Sequence, residues 1–309
     1  MRGHVWTLRP LLRHAVRPVH LSASVSWSTT LDDPRRGRVR LTGKLHEGKS
    51  DALVILVHGL GGTVDSHYVR DAARALDAVG LSYLRVHLRG ADRSGDDFYH
   101  AGLLEDLDAV LASPEVRERT SMSLFGFSLG GHLVLRYAAM RNLPTLRAVV
   151  AVCPPLDLAA GAVEIDRLRA RPYLLHVLGG LVEMYEGVAA RGPVPIPVER
   201  ARAIRSIRVW DDLIVAPRHG FSGADHYYSE VSAGPLLSTL DVETLIVAGD
   251  ADPMVPLSTT EPSLRRASRK VDVRVVRGGH VGFPARLDLG QPGARGLEPQ
   301  LAAWLARRA

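Results

Sequence analysis

Ser128 is the residue whose surroundings suggest chemistry most directly. It lies in the stretch GFSLG, with a glycine two positions away on each side. The apolar run SMSLFGF that ends just before it predicts a strand, and the residues after it predict a helix. A serine on a sharp turn between a strand and a helix presents its hydroxyl at a sheet edge, where it can act as a nucleophile. Because the chain has 29 glycines, the motif GFSLG could occur by chance. The inference therefore rests on the position of Ser128 between a predicted strand and a predicted helix.

A serine nucleophile needs a base that takes its proton and a third group that orients the base. Two downstream stretches supply candidates. GDADPMVP follows the run VETLIVA and contains Asp252, and RGGHVGF contains His280 just past the next predicted strand. We therefore expect Ser128, Asp252 and His280 to form a catalytic triad. Asp250 is the main competitor for the acid, and Asp157, after the preceding strand, is a more distant one.

Attack on a carbonyl creates an oxyanion, which backbone amides can stabilise. The amide of Leu129, directly after the serine, is one candidate donor. The loop HGLGG follows the predicted strand ALVILV, and we assign the second donor to Leu60 in this loop. His58 at the end of that strand is a candidate second base, but we expect it to brace the loop through hydrogen bonds.

The predicted elements bring these residues to one edge of a sheet. Short apolar runs separated by helical stretches are typical of parallel strands that are covered on both faces. We predict strands at 52–57, 81–87, 121–127, 146–152, 242–248 and 271–276, and helices at 64–79, 99–112, 129–141 and near 297–308. Each predicted triad residue follows the carboxyl end of one of these strands.

Two parts of the chain depart from this alternation of strands and helices. Residues 21–28 alternate between apolar residues and serines, the turn signal DDPRRG follows, and RVRLTGKL alternates again, so we predict an N-terminal antiparallel hairpin. About ninety residues separate the strands that end at 152 and begin at 242, far more than one crossover needs. Helical stretches there predict a cap at approximately 156–235. We predict one domain over 1–309 with this cap as an insertion.

The composition and the histidine spacing limit which partners and cofactors we expect. The chain is 46% apolar and 23% charged, as ordinary globular proteins are. Its net charge of +6 is scattered without a basic run, so we expect no nucleic-acid partner. No apolar stretch reaches the length of a stable membrane span, which leaves only peripheral membrane contact open. The histidines lack paired ligand spacing such as HExxH, so we predict no metal and no cofactor.

The compartment is predicted from two features. The single cysteine, Cys153, follows an apolar run and is expected in the core, which favours a reducing, cytoplasmic setting. The alternative is an organelle, because the chain has arginines and no acid before Asp32, a composition that transit peptides share. We favour a basic surface segment for this start. The sequence leaves the oligomeric state open.

Several stretches together resemble the α/β-hydrolase superfamily and, within it, the YheT-like branch (hydrolase family 4), whose members are assigned as carboxylesterases. They are HGLGGTVDSHYVR, HLRGADRSGDDFYHAG, GFSLGGH, WDDLIVAPRHGFSGADHYY and GGHVGF, in the order of the branch, from about residue 50 to 284. The order serine, acid, histidine is also that of the superfamily. GFSLG is shared widely, whereas the block ending in ADHYY and GGHVGF are more particular to the branch. The first 45 residues match the branch poorly.

The residues and the resemblance together predict a serine esterase that cleaves small-molecule carboxylic esters through an acyl-enzyme. Two alternatives stay open, an acyltransferase with the same triad and a ligand-binding module that does not hydrolyse. The stretch YLLHVLGGLV and the aromatic residues Phe221, Tyr227 and Tyr228 either line an acyl groove or pack the cap against the sheet. A groove of this kind would favour medium-chain or lipid-like esters.

Overall fold

The computed structural model describes residues 2–16 and 19–309 and centres on one eight-stranded sheet. Its strands are β1 Val25–Asp33, β2 Gly37–His46, β3 Leu53–Val57, β4 Ser82–Val86, β5 Met122–Phe127, β6 Leu146–Val152, β7 Glu243–Gly249 and β8 Val271–Val276. Their order is β1-β2-β4-β3-β5-β6-β7-β8. Strands β3 to β8 pair in parallel, and β2 pairs antiparallel with β1 and β4. The predicted mostly parallel sheet with an N-terminal antiparallel hairpin is confirmed.

The central strands are largely apolar because both of their faces are covered. Every residue of β3, β4 and β5 is buried. The hairpin differs from the prediction at its start, since β1 begins at Val25 rather than Leu21. Asp32 and Asp33 also belong to the strand, because the ladder with β2 continues to the pair Asp33 and Gly37. Cross-strand pairing here overrides the low strand preference of aspartate.

Helices cover the sheet on both faces. They are α1 Arg2–Val16, α2 His67–Ala78, α3 Leu104–Leu111, α4 Pro114–Arg117, α5 Leu129–Met140, α6 Leu158–Ile165, α7 Arg171–Ala189, α8 Val198–Ala203, α9 Ile207–Trp210, α10 Ala216–His219, α11 Ala224–Val231, α12 Leu257–Leu264 and α13 Leu297–Ala306. The predicted flanking helices correspond to α2, α3, α5 and α13. Over the described ranges, no helix combines the length and the apolar character needed to cross a bilayer.

The residues between β6 and β7, here called the inserted segment, are helical. They contain α6 to α11, two 3-10 turns at Leu168–Ala170 and Gly234–Thr239, and a π-helical turn at Asp211–Val215. Apolar side chains from α6, α7, α9 and α11 belong to the same buried cluster as side chains of β3 and β5. The inserted segment therefore shares a core with the sheet.

Helix α1 is a feature that the sequence patterns did not predict, since the start of the chain was interpreted as a basic surface segment. It forms despite an internal proline, Pro10, and packs on the loop after β8. The hydroxyl of Thr7 accepts a hydrogen bond from the backbone amide of His280 at 2.9 Å. A Cβ at Gly279 or Gly282 in this loop would collide with the α1 backbone. These two glycines therefore allow the close approach of the helix.

A buried ion network ties the inserted segment and the hairpin to the sheet. Arg89, which follows β4, donates to Asp106 at 2.6 Å and to Asp97 at 3.0 Å. It also donates to Asp33 of the hairpin at 2.7 Å. Arg218 of α10 donates to Asp97 at 2.8 Å. Burial raises the pKa of Asp106 to about 6, against the opposing effect of the Arg89 guanidinium.

We predict that Arg89→Met lowers the free energy of unfolding by about 3–5 kcal/mol, because it leaves Asp97 and Asp106 buried without their shared cation. Urea unfolding followed by circular dichroism measures the change. The matched control is Arg265→Met, which removes an exposed pair with Glu261 and should leave the unfolding midpoint unchanged. Equal effects of the two substitutions would contradict a structural role for the buried network.

Candidate active site

Ser128 occupies a strained turn between β5 and α5. Its backbone has φ 50° and ψ −120°, a conformation that residues other than glycine rarely adopt. The neighbouring glycines make the turn sterically feasible. A Cβ at Gly126 would collide with the carbonyl of Gly130, and a Cβ at Gly130 would collide with the carbonyls of Val57 and His58. Helix α5 thus packs directly on the ends of β3 and β5 and holds Ser128 between them.

His280 and Asp252 form a buried hydrogen-bonded pair. The Nδ1 atom of His280 lies 2.8 Å from Oδ2 of Asp252. The other carboxylate oxygen accepts from the amides of Met254 and Val255 at 2.8 and 2.9 Å. With its proton on Nδ1, the imidazole has an unprotonated Nε2 that can accept a proton. The loop amides and α1 together hold the pair in place.

The two competing acids make other contacts. Asp250 accepts a hydrogen bond from the amide of Gly278 at 3.0 Å. Asp157 caps the N-terminus of α6 by accepting from the amide of Ala160 at 2.9 Å. The structure therefore brings Asp252, rather than Asp250 or Asp157, to His280.

Ser128 and His280 line the same cavity, which has a volume of about 440 Å³. Asp252 lies behind His280, outside the cavity wall. Among the hydrogen bonds of residues 2–16 and 19–309, none joins the serine hydroxyl to the imidazole. In unliganded enzymes such hydrogen bonds are often long and shorten only when the substrate binds.

Leu60 and Leu129 also line this cavity. Leu129 is the first residue of α5, so its amide has no acceptor within the helix. Within the described chain, the amides of Leu60 and Leu129 donate to no other protein group. Both amides are therefore available to an oxygen bound in the cavity.

Two tyrosines fix the loop that carries Leu60. The amide of Gly59 donates to the hydroxyl of Tyr68 at 3.0 Å, and the amide of Gly61 donates to the hydroxyl of Tyr99 at 2.7 Å. The amides on either side of Leu60 are thus engaged. This arrangement sets the direction of the Leu60 amide between them.

His58 braces the same loop. Its Nδ1 atom donates to the carbonyl of Gly59 at 2.7 Å, and its Nε2 atom accepts from the amide of Leu88 at 3.1 Å. Burial lowers the pKa of His58 to about 3, so the ring is neutral at physiological pH. With both nitrogens bonded, the ring connects the loop after β3 to the segment after β4.

Cys153 packs against the acid and the histidine from the sheet side. Its sulfur lies within 4.8 Å of ligand atoms of Asp252 and His280, and its thiol donates to the carbonyl of Gly279 at 3.7 Å. The residue has φ 49° and is buried. Burial raises the pKa of this thiol, so it remains protonated at neutral pH.

The remaining cavity wall comes mainly from the inserted segment and the segment 59–68 after β3, with a smaller share from α1. Of the stretch YLLHVLGGLV, four residues line it, namely Tyr173, His176, Val177 and Leu181. Tyr227 and Tyr228 line it as well. Phe221 packs against His100 and Tyr227 instead. From α1, the sequence patterns missed the contributions of Thr7, Leu8 and His14.

Comparison with known proteins places the chain in a family. The model of the Alpha/beta hydrolase family matches residues 54–289, which is more than half of the chain. The chain is 30% identical over 271 residues to the "Putative esterase YheT" of Escherichia coli (strain K12), covering 82% of this chain and 74% of that protein.

Two further matches are more distant. The "Medium-chain fatty acid ethyl ester synthase/esterase 2" of Saccharomyces cerevisiae is 23% identical over 75% of this chain, which spans only 58% of that relative. The solved structure of the Pyrococcus furiosus esterase Pf2001 superimposes with a TM-score of 0.55 at 18% identity, covering 84% of each chain. The chain belongs to the α/β-hydrolase family and, within it, to the YheT-like branch.

Proposed function

We propose that this protein is a serine esterase that cleaves carboxylic esters through an acyl-enzyme. The observation that carries the proposal is that Ser128, on its strained turn, and His280, hydrogen-bonded to Asp252, line one cavity. Chemistry of this type needs a nucleophile, a base, an orienting acid and oxyanion donors. We assign these roles to Ser128, His280, Asp252 and the amides of Leu60 and Leu129, and the relatives with esterase in their names support this reaction class.

In the acylation half, the Ser128 hydroxyl attacks the ester carbonyl carbon and its proton passes to Nε2 of His280. Asp252 holds the ring and stabilises the imidazolium that forms. The carbonyl oxygen becomes an oxyanion, which accepts hydrogen bonds from the amides of Leu60 and Leu129. As the carbon–oxygen bond to the alcohol breaks, the leaving alkoxide takes the proton from His280.

In the deacylation half, water attacks the acyl carbonyl while His280 takes one of its protons. The tetrahedral intermediate again places its oxyanion at the two amides. Its collapse breaks the bond to Ser128 Oγ, which recovers the proton from His280, and releases the carboxylic acid.

We assign the inserted segment, approximately 156–235, the role of a cap within a single domain over 1–309. Its helices α6 and α7 contribute apolar side chains such as Leu158, Ile165 and Leu181 to the cavity. A cavity of about 440 Å³ is large enough for a small-molecule ester and has the apolar walls that an acyl chain needs. Medium-chain esters are the substrates we expect.

Acyl transfer to an alcohol is the second candidate, because the name of the yeast relative joins an ester synthase with an esterase. The two activities share acylation and differ in whether water or an alcohol deacylates the enzyme. The ratio of ethyl ester to free acid formed in ethanol–water mixtures separates them.

We predict that Ser128→Ala lowers kcat for p-nitrophenyl butyrate by about a million-fold, as expected for the loss of a triad nucleophile. The thermal midpoint should stay close to that of the wild type, because the hydroxyl makes no hydrogen bond with the described chain. Initial-rate assays and circular dichroism check the two parts. A folded alanine variant that keeps near wild-type turnover would contradict the proposed mechanism.

For the acid, we predict that Asp252→Asn lowers kcat by about four orders of magnitude, because the amide no longer holds the tautomer with the proton on Nδ1 of His280. Asp250→Asn is the matched control and should have a much smaller effect, since Asp250 contacts the amide of Gly278 instead. Steady-state kinetics on one ester gives the ranking. The reverse ranking would assign the acid to Asp250.

For the acyl chain, we predict that kcat/KM for p-nitrophenyl esters rises from acetate through at least hexanoate, with up to about 0.8 kcal/mol gained for each buried methylene. Gly161 of α6 lines the cavity and has room for a side chain, so Gly161→Leu should lower the rate with hexanoate more than with acetate. Gly179→Leu, on the exposed face of α7, is the matched control. A steady fall with chain length in the wild type would rule out the acyl groove.

A further inference from the structure

Asp211 is a carboxyl group in the cavity wall for which the proposed reaction has no use. It begins the π-helical turn Asp211–Val215, directly after α9, and lines the same cavity as Ser128 and His280. Turns of this type are uncommon and often occur at functional sites. The next residue, Asp212, has a structural contact, since it accepts a hydrogen bond from the amide of Ala224 at the start of α11.

The polar surroundings of Asp211 are sparse. The hydroxyl of Tyr228 donates to its Oδ2 atom at 2.7 Å. In the described part of the chain, no lysine or arginine forms an ion pair with Asp211. The cavity wall holds one other carboxylate, Asp65, and that one is paired with Lys44, Arg70 and Arg85.

A carboxyl group in such a place is unfavourable unless a ligand completes its hydrogen bonds. Burial raises the pKa of Asp211 to about 7 despite the hydrogen bond from Tyr228. The residue nevertheless lines the cavity and is only partly buried. Its unshared lone pairs are therefore open to a polar atom of a bound molecule.

We infer that Asp211 is a specificity-determining residue that binds a hydroxyl group of the substrate, so that hydroxylated esters are preferred over their plain alkyl counterparts. This inference rests on the esterase function proposed above. It is carried by the position of Asp211 in the cavity wall, its single neutral partner and the absence of lysine and arginine from the described wall.

A hydroxyl group fits this site better than an ammonium group does. A hydroxyl can donate to the carboxylate or accept from the protonated acid, so it satisfies Asp211 in both forms. An ammonium group can only donate and needs the charged carboxylate, which burial disfavours here. A substrate carboxylate or phosphate would be repelled by Asp211 and would find no lysine or arginine in the described wall.

The test compares matched ester pairs with and without one hydroxyl group. On the acyl side the pair is p-nitrophenyl 6-hydroxyhexanoate and p-nitrophenyl hexanoate, and on the alcohol side it is 3-hydroxypropyl hexanoate and propyl hexanoate, followed by acid release. We expect the wild type to prefer the hydroxylated member of at least one pair by about tenfold in kcat/KM. Asp211→Leu should reduce this preference below twofold, measured as the ratio of the two kcat/KM values within each pair.

Two further variants keep the inference falsifiable if Asp211→Leu fails to fold. Tyr228→Phe retains the carboxyl group but removes its orienting donor, so it should lower the preference by about threefold. Asp212→Asn is the adjacent control, outside the cavity wall, and should leave the preference unchanged. Its contact to α11 can be kept by the amide oxygen.

The outcomes distinguish this inference from the proposed function. A wild type that hydrolyses the plain esters without a hydroxyl preference, or a preference that Asp211→Leu leaves intact, overturns the hydroxyl site alone. Faster turnover of p-nitrophenyl 6-aminohexanoate than of the 6-hydroxy ester also overturns it. A folded wild type that hydrolyses none of these esters overturns both.

Discussion

The close approach of α5 to the ends of β3 and β5 is the constraint on which the whole site depends. A side chain at Gly126 or Gly130 would meet backbone carbonyls and push the helix away from the sheet. With the helix displaced, the backbone of Ser128 would no longer be held at a positive φ, and the Leu129 amide would point in another direction. A side chain at Gly59 would likewise lie 3.1 Å from the Ser128 Cβ atom. One packing arrangement therefore sets the positions of the proposed nucleophile and of the proposed backbone donors together.

The histidine side of the site is held by contacts from distant parts of the chain. Asp252 fixes the imidazole ring of His280, while Thr7 of α1 accepts from the backbone amide of the same residue. The glycines around His280 allow α1 to pack closely on this loop. The N-terminal helix is thus part of the cavity wall as well as a support for the loop. The Arg89 network plays the corresponding role for the inserted segment, which it ties to the hairpin and the sheet.

The sheet could be predicted closely because burial on both faces makes each central strand a short, largely apolar run. The predicted strand at 146–152 matches β6 at both ends. The strand predicted at 271–276 also matches β8, although none of the residues of this edge strand is buried. Helix α1 could not be predicted, because a proline such as Pro10 normally disfavours a helix and because its position depends on glycines far away in sequence. Asp211 was missed for a similar reason. In the letters WDD nothing distinguishes Asp211 from Asp212, and only the π-helical turn directs one to the cavity and the other to α11.

The central claim is that the fold activates Ser128, and site-resolved mass spectrometry after treatment with an alkyl fluorophosphonate tests it most directly. These reagents modify serines that an adjacent base has activated. We expect one adduct, on the peptide that carries Ser128, and its loss when the protein is unfolded in urea before treatment. An unmodified Ser128 in the folded protein, or an adduct on another serine in its place, would contradict the account.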